Sequence, residues 1–283
     1  MYEKISELLT GRKFAEIRKL LSDANPVDIA QMFEELDEED VIRVFRLLPK
    51  EVAAETFSYM SSEAQKNIVE SMTDRELSGI IDELFLDDTV DLIEEMPASV
   101  VKKVLANTFG EKRSLINRFL QYKEDSAGSI MTIEFVDLKK EMTVEKAFEH
   151  IRKTGVDKET IYTCYVIDAN RVLEGVITVK DLLLAAPSDI VGDIMDTNII
   201  YATTDEDKED VAHIFHKYDF MSLPVVDKEK RLVGIVTFDD AMDVMEEENT
   251  EDFEKMAAIM PSERPYLKTS IFEHAKHRIV WLM

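Results

Sequence analysis

The sequence is poor in cysteine, glycine and tryptophan. Of its 283 residues a single one, Cys164, is a cysteine, so a disulfide within the chain is excluded and a reducing compartment fits. With eight glycines it contains no phosphate-binding glycine-rich loop, and it has neither a nucleophile elbow nor a Cys/His pair at metalloprotease spacing. We therefore expect no enzyme active site. An apolar content of 45% is ample for about two folded domains.

Basic residues are also in short supply. The chain has 34 Lys and Arg against 59 Asp and Glu, which gives a formal charge of −25. Such a surface repels phosphate backbones and anionic lipid headgroups, so nucleic acid is not an expected partner. It attracts cations instead, although a solvated acidic surface that merely keeps the protein soluble fits the composition equally well.

Long hydrophobic runs are missing too. Residues 1–20 are charged throughout, so no signal peptide is predicted, and no run reaches the roughly 20 apolar residues that a membrane span needs. At the other end, Lys276–Arg278 is followed by the apolar stretch Ile279–Met283. Basic residues, a Trp and aliphatic residues in that order resemble the start of a membrane helix, and a frayed amphipathic tail is the alternative.

Residues 1–125 contain an internal repeat of twelve residues. Polar or proline breaks separate the units, and apolar positions three and four apart within each unit predict short helices with Ser, Thr or Asp caps. We therefore predict an all-α superhelical solenoid. One apolar series is Leu36, Leu48, Met60, Met72, Leu84 and Met96. The other is Phe33, Phe45, Phe57, Val69, Ile81 and Ile93.

From about residue 126 the pattern changes to a β-α-β-β-α unit that occurs twice. The predicted domains are residues 126–190 and 191–249, each opening on an Ile-Met pair. Each contains the motif Gly-apolar-apolar-Thr-x-x-Asp, as Gly175–Asp181 and Gly234–Asp240. A further helix over residues 250–283 is predicted to begin at Thr250, where Thr-Glu-Asp provides a cap.

Acidic residues gather at several predicted helix ends, and these clusters are candidate cation sites. Asp87 and Asp91 lie four residues apart and share one helix face. Like charges at about 4 Å repel by roughly 4 kcal/mol at an effective dielectric near 20, so such groups need a cation or a proton. Oxygen ligands without His or Cys favour Mg²⁺ or Ca²⁺. The other clusters are Asp207, Glu209 and Asp219, then Asp239 and Asp240, then Glu246–Glu248, Glu251 and Asp252.

Weaker interpretations of the same residues stay open. Each acidic cluster could be a solvated helix terminus. His213 and His216 stand three residues apart on a predicted helix and could bind zinc, but no third ligand is evident nearby.

The duplicated α/β unit resembles a tandem pair of CBS domains through its Ile-Met openings, Pro-Val-Val-Asp strand and Gly…Thr-x-x-Asp motifs. The resemblance implies that Thr178, Lys180 and Asp181 hold an adenine nucleotide such as ATP, with Thr and Asp on the ribose. Thr163 stands where an aromatic partner for adenine is expected. Thr and Asp at these positions are also ordinary helix caps.

The whole layout resembles the cytosolic region of MgtE-family magnesium channels, over essentially the entire chain. The resemblance implies a homodimer at the cytoplasmic face of the cell membrane, continuing into a transmembrane pore domain beyond residue 283. Mg²⁺ bound weakly by interdomain carboxylates would hold the linking (plug) helices against the pore, and its loss would open the channel.

That resemblance also implies a set of Mg²⁺ ligands, in which His216 contributes its main-chain carbonyl. In the solenoid they are Glu55, Asp87 and Asp91. In the second CBS copy they are Asp207, Glu209, His216 and Asp219. At the junction with the linking helix they are Asp240, Glu248, Glu251 and Asp252.

Two alternatives belong to other functional classes. One is a CBS regulator that senses adenine nucleotide and has no specific metal site. The other is an interaction scaffold that binds a partner on the concave face of the solenoid.

Overall fold

The computed structural model describes residues 1–256, apart from the side chains of residues 157 and 254–256. The chain divides into two compact units, the first spanning Met1–Gln121 and the second beginning at Tyr122.

The first unit is a run of ten short α-helices. From α3 onward, each helix begins twelve residues after the one before it, which matches the period of the sequence. The helices are Tyr2–Thr10 (α1), Phe14–Leu21 (α2), Pro26–Phe33 (α3), Glu38–Phe45 (α4), Lys50–Ser58 (α5), Ser62–Ser71 (α6), Asp74–Glu83 (α7), Leu86–Glu95 (α8), Ala98–Asn107 (α9) and Gly110–Phe119 (α10).

Alternate helices of this unit pack side by side. Helix α5 contacts α3 and α7, α7 contacts α9, and on the other side α6 contacts α4 while α8 contacts α10. The rings of Phe33, Phe45 and Phe57 lie 6.4 and 6.2 Å apart in succession, and all six residues of that apolar series are buried. Each such burial contributes about 1.5–3 kcal/mol. The predicted all-α solenoid is confirmed.

Lysine side chains close the C-terminal ends of two of these helices. Nζ of Lys103, on α9, donates hydrogen bonds to the carbonyl oxygens of Val69 and Met72 at the end of α6, both at 2.6 Å. Lys112, on α10, does the same at the end of α7. The last carbonyls of a helix lack intrahelical partners and carry partial negative charge. An ammonium group there donates the missing hydrogen bonds and offsets that charge.

The second unit contains two similar α/β copies in sequence. The first is β1 (Val136–Leu138), α11 (Val144–Thr154), β2 (Thr163–Ile167), β3 (Leu173–Thr178) and α12 (Val179–Leu184). The second is α13 (Val191–Ile194), β4 (Ala202–Thr203), α14 (Lys208–Tyr218), β5 (Ser222–Val226), β6 (Leu232–Thr237) and α15 (Phe238–Met256). Each sheet pairs its first strand parallel and its third antiparallel to the middle one, which confirms the predicted duplication.

The opening of each copy packs onto the other copy. Met131 lies against Gly234, and Met195 lies against Gly175. A Cβ atom at Gly234 would stand 2.6 Å from the sulfur of Met131, and one at Gly175 would approach Met195 even more closely. Both motif glycines are therefore required, because a methionine side chain packs where a Cβ atom would be. The Ile-Met motif of each copy thus contacts the Gly motif of the other copy.

A buried tyrosine joins the two copies at their centre. The Tyr165 hydroxyl lies 2.7 Å from the Ser222 hydroxyl, and the Tyr165 ring meets Phe135 edge-on at 5.8 Å. Burial raises the pKa of Tyr165, so its phenol stays neutral and keeps this hydrogen bond.

The predicted helix start at Thr250 is wrong. Helix α15 runs without a break from Phe238 to Met256, because Glu246–Asp252 contains no glycine or proline to interrupt it. The rest of the predicted linking helix and the basic-apolar tail lie outside the described residues. In residues 1–256, no helix has the length and hydropathy needed to cross a membrane.

Replacement of Lys103 by Met should loosen the end of α6. The change keeps most of the side-chain volume but removes the donor to two carbonyl groups, a loss of about 1–3 kcal/mol. We expect faster hydrogen exchange over Ser62–Met72 and a lower unfolding temperature. Lys102→Met, at the exposed neighbouring position, is the control, and equal effects of the two variants would contradict the role of Lys103.

Candidate functional site

Helix α8 carries a dense line of carboxylates. Asp87, in its first turn, is only 9% exposed, and its Oδ1 accepts a hydrogen bond from the Asp88 amide at 3.0 Å. Desolvation by the surrounding protein and, next, the negative charge of Asp87 raise the pKa of Asp91 to about 8. Asp91 itself remains exposed, so solvent screens part of this repulsion. This face of α8 favours a bound proton or cation.

Glu55, the third predicted ligand of the solenoid, is exposed on a different helix, α5. Across residues 1–256, no three side chains among His, Cys, Asp and Glu are grouped closely enough to hold a metal ion. The predicted ligands of the first unit are thus a pair on α8 and a separate carboxylate on α5.

The predicted ligands around α14 fall at its two ends. Asp207 is the N-cap, and its carboxylate accepts from the Glu209 amide at 3.0 Å. Asp219 is the C-cap, in a left-handed conformation with φ of 55°. An eleven-residue helix is about 16 Å long, so the two ends cannot ligate one ion. Carbonyl groups in the last turn, including that of His216, lack intrahelical partners and are suitable oxygen ligands.

The two histidines of α14 offer little support for zinc. His213 and His216 are both exposed, and Nε2 of His213 lies 3.6 Å from Oε1 of Glu209. Within the described part of the chain, no third ligand joins them.

Helix α15 carries its predicted ligands in two places. Asp240 lies in the first turn, where its carboxylate accepts a hydrogen bond from the Thr237 hydroxyl. Glu248, Glu251 and Asp252 share one face about 12 Å or more further along, because they are three and four residues apart. Burial and neighbouring carboxylates raise the pKa of Asp243 between these places, so negative charge is concentrated along the helix.

The predicted nucleotide motif forms a helix cap at the start of α12. The Thr178 amide donates to Oδ2 of Asp181 at 3.2 Å, and the Asp181 amide donates to the Thr178 hydroxyl at 3.1 Å. Thr178, Lys180 and Asp181 are all exposed. Thr178 and Asp181 therefore cap α12. The same helix end presents a carboxylate, a hydroxyl and an ammonium group to solvent.

Two residues that sequence reasoning missed stand beside these sites. Tyr162 is 66% exposed, and its carbonyl accepts from the Val179 amide at 2.9 Å, which places an aromatic residue next to Thr178. The signal was an aromatic residue one position before Thr163. Lys208, between the predicted ligands Asp207 and Glu209, forms ion pairs with residues distant in sequence, and no local pattern marks it.

Family models match both units. The MgtE intracellular N domain matches residues 24–125, and the CBS domain matches residues 127–188 and 191–247.

Curated relatives include the magnesium transporters MgtE of Thermus thermophilus and Bacillus subtilis. The first is 42% identical over 171 residues, covering 60% of this chain and 38% of the relative. The second is 34% identical over 197 residues, covering 70% of this chain and 43% of the relative. The chain thus spans about two fifths of the length of these relatives.

Two solved structures match most of the chain. The cytosolic domain of the Mg²⁺ channel MgtE in complex with ATP is 37% identical with a TM-score of 0.82, covering 86% of this chain and 100% of that one. The soluble part of a magnesium transporter is 30% identical, also with a TM-score of 0.82, covering 87% and 97%. The chain therefore belongs to the MgtE family and contains that family's N domain followed by tandem CBS domains.

Proposed function

We propose that this chain is the Mg²⁺-sensing regulatory region of a magnesium channel or transporter. The observation that carries the proposal is the crowding of carboxylates on α8, around Asp87 and Asp91, in a chain whose relatives are magnesium transporters. Bound Mg²⁺ stabilises a compact, closed homodimer, and loss of the ion opens the pore.

The spacing of the predicted ligands supports ions shared by different elements. Each helix end offers one to three carboxylates, whereas Mg²⁺ takes six oxygen ligands and usually keeps several waters. An ion held by few protein ligands binds weakly, which suits a sensor that must release it. In the ion-free state, repulsion between the carboxylates favours separation of the elements that carry them.

The proposal includes parts outside the described residues. The pore belongs to the remaining three fifths of a full-length transporter, on the pattern of the curated relatives. A homodimer related by a two-fold axis would place the two copies of α15 side by side, where they can act on one pore.

Mg²⁺ should compact the wild-type protein, and the double variant Asp87→Asn/Asp91→Asn should lose this response. The variant keeps side-chain size and removes two charges, so its ion-free form should be closer to the compact state. An ion at ten times its Kd favours the binding state by about 1.4 kcal/mol. Small-angle scattering in Mg²⁺ and in chelator reports the radius of gyration, and its forward intensity reports whether the protein is a dimer.

Asp23→Asn/Asp28→Asn is the matched control, because it removes two exposed charges from the same unit at positions with no predicted role. An unchanged wild-type radius on Mg²⁺ addition would contradict the sensor. Equal compaction by monovalent salt at the same ionic strength would assign the effect to general screening.

The stability gained by Asp91→Asn should depend on pH. The folded-state pKa of Asp91 is raised to about 8, so its charge opposes folding fully above pH 8. This penalty is lost as the pH falls from about 8 towards the ordinary carboxyl value near 4, since the folded state binds the proton first. In chelator, the variant should exceed the wild type in unfolding temperature more at pH 8.5 than at pH 5. A difference in unfolding temperature that is the same at both pH values would be inconsistent with this.

Adenine nucleotide binding is a second candidate function. The 37% identical cytosolic domain was solved with ATP, and here Tyr162 lies beside the Thr178–Asp181 cap. The aromatic ring can stack on a base while Asp181 accepts from ribose hydroxyls.

Asp181→Asn should weaken ATP binding by about ten- to a hundredfold, as expected for loss of a charged hydrogen-bond acceptor. Asparagine can still accept the capping hydrogen bonds, so the helix end is retained. Asp240→Asn is the matched control at the same position of the second copy, and we expect little change there. Isothermal titration calorimetry measures both, and equal losses of affinity would refute the assignment to the first copy.

A further inference from the structure

Lys208 lies between two segments that are far apart in sequence. We call Lys123–Gly128, near the start of the second unit, the lead-in segment. Nζ of Lys208 is 3.1 Å from Oδ1 of Asp125 in this segment and 3.2 Å from Oε2 of Glu247 on α15. The Lys208 side chain is 17% exposed, whereas those of Asp125 and Glu247 are 69% and 67% exposed.

The backbone fixes the lead-in segment to the start of α14. The Lys208 amide donates to the carbonyl of Asp125 at 3.0 Å, and the Ala127 amide donates to the carbonyl of Glu206 at 2.7 Å. Asp125 has a φ of 58°, a conformation that non-glycine residues adopt infrequently. Lys208 is therefore attached to the lead-in segment through both its backbone and its side chain, and to α15 through its side chain.

The bridge matters because α15 is rich in negative charge. Because both carboxylates are mostly exposed, solvent screens each pair, and each contributes a modest free energy. Glu247 is also adjacent to Glu248, the first of the three predicted ligands on the later part of α15. Lys208 therefore contacts α15 next to these ligands.

We propose that Lys208 is a positioning residue that couples the lead-in segment to α15, so that a displacement of this segment is passed to α15 through one ammonium group. The inference rests on the proposed function only in giving the motion of α15 a regulatory purpose. The coupling itself requires no bound metal, and it is tested in chelator.

The first test compares two neighbouring glutamates on α15. Glu247→Gln removes the Lys208 partner, and Glu246→Gln removes the same charge one residue earlier at a position where no pair with Lys208 is seen among the described residues. Hydrogen exchange over Met245–Phe253 should become about two- to fivefold faster in Glu247→Gln and in Lys208→Met, the change expected for about 0.4–1 kcal/mol of local stability. Exchange over β5 should stay unchanged, which shows that the unit is folded. Equal rates in the two glutamate variants would overturn the bridge.

The second test separates coupling from simple local support. Among the described side chains, Asp125 pairs with Lys208 and with none of α15, so Asp125→Asn should change α15 only if Lys208 transmits the change. We expect faster hydrogen exchange over Met245–Phe253 in Asp125→Asn. In Glu124→Gln, a change at the neighbouring residue, we expect the exchange rate to stay at the wild-type value. Unchanged α15 exchange in Asp125→Asn would overturn the proposal. Failure of Mg²⁺ to compact the wild-type protein would count against the sensor alone, because neither hydrogen-exchange test uses metal.

Discussion

Repulsion between carboxylates is the constraint that most of this structure has to satisfy, since acidic residues outnumber basic ones by 59 to 34. The fold places many of the acidic residues in the first turns of helices, as in α4, α8, α14 and α15, where the helix dipole favours negative charge. The scarce lysines are used at the opposite ends, and Lys103 and Lys112 reach carbonyl groups of neighbouring helices.

Some carboxylates are left where neither a dipole nor a lysine accounts for them. The crowding around Asp91 raises its pKa, and the charges along α15 do the same for Asp243. Such positions have a free-energy cost that protonation or a nearby positive charge would lower. Lys208 is such a positive charge, and it lies beside one carboxylate of α15, that of Glu247.

The CBS pair provides the framework on which this charge is placed. Each copy lends its opening methionine to the other, against a glycine that leaves room for it, and Tyr165 and Ser222 join the copies at the centre. Neither copy is complete alone. Helix α15 extends directly from the last strand of the second copy.

The sequence by itself determined the all-α solenoid and the duplicated α/β unit, because each depends on periodicity. Of the solenoid caps, Asp37, Ser61 and Thr73 stand at the N-cap position, but only the side chain of Thr73 accepts a capping hydrogen bond. The sequence also placed Thr178 and Asp181 at a helix start, and Asp87 and Asp91 on one helix face. The predicted break at Thr250 was wrong, since a good cap does not start a new helix where the preceding residues continue one.

Only the tertiary structure decided which groups meet. It showed that the motif glycines are contact points for methionines of the other copy, and that Asp207 and Asp219 lie at opposite ends of one helix. It also brought Lys208 to Glu247, 39 residues away in sequence. Such contacts join elements whose separation along the chain carries no information about their distance in space, because the packing of apolar faces decides which elements become neighbours.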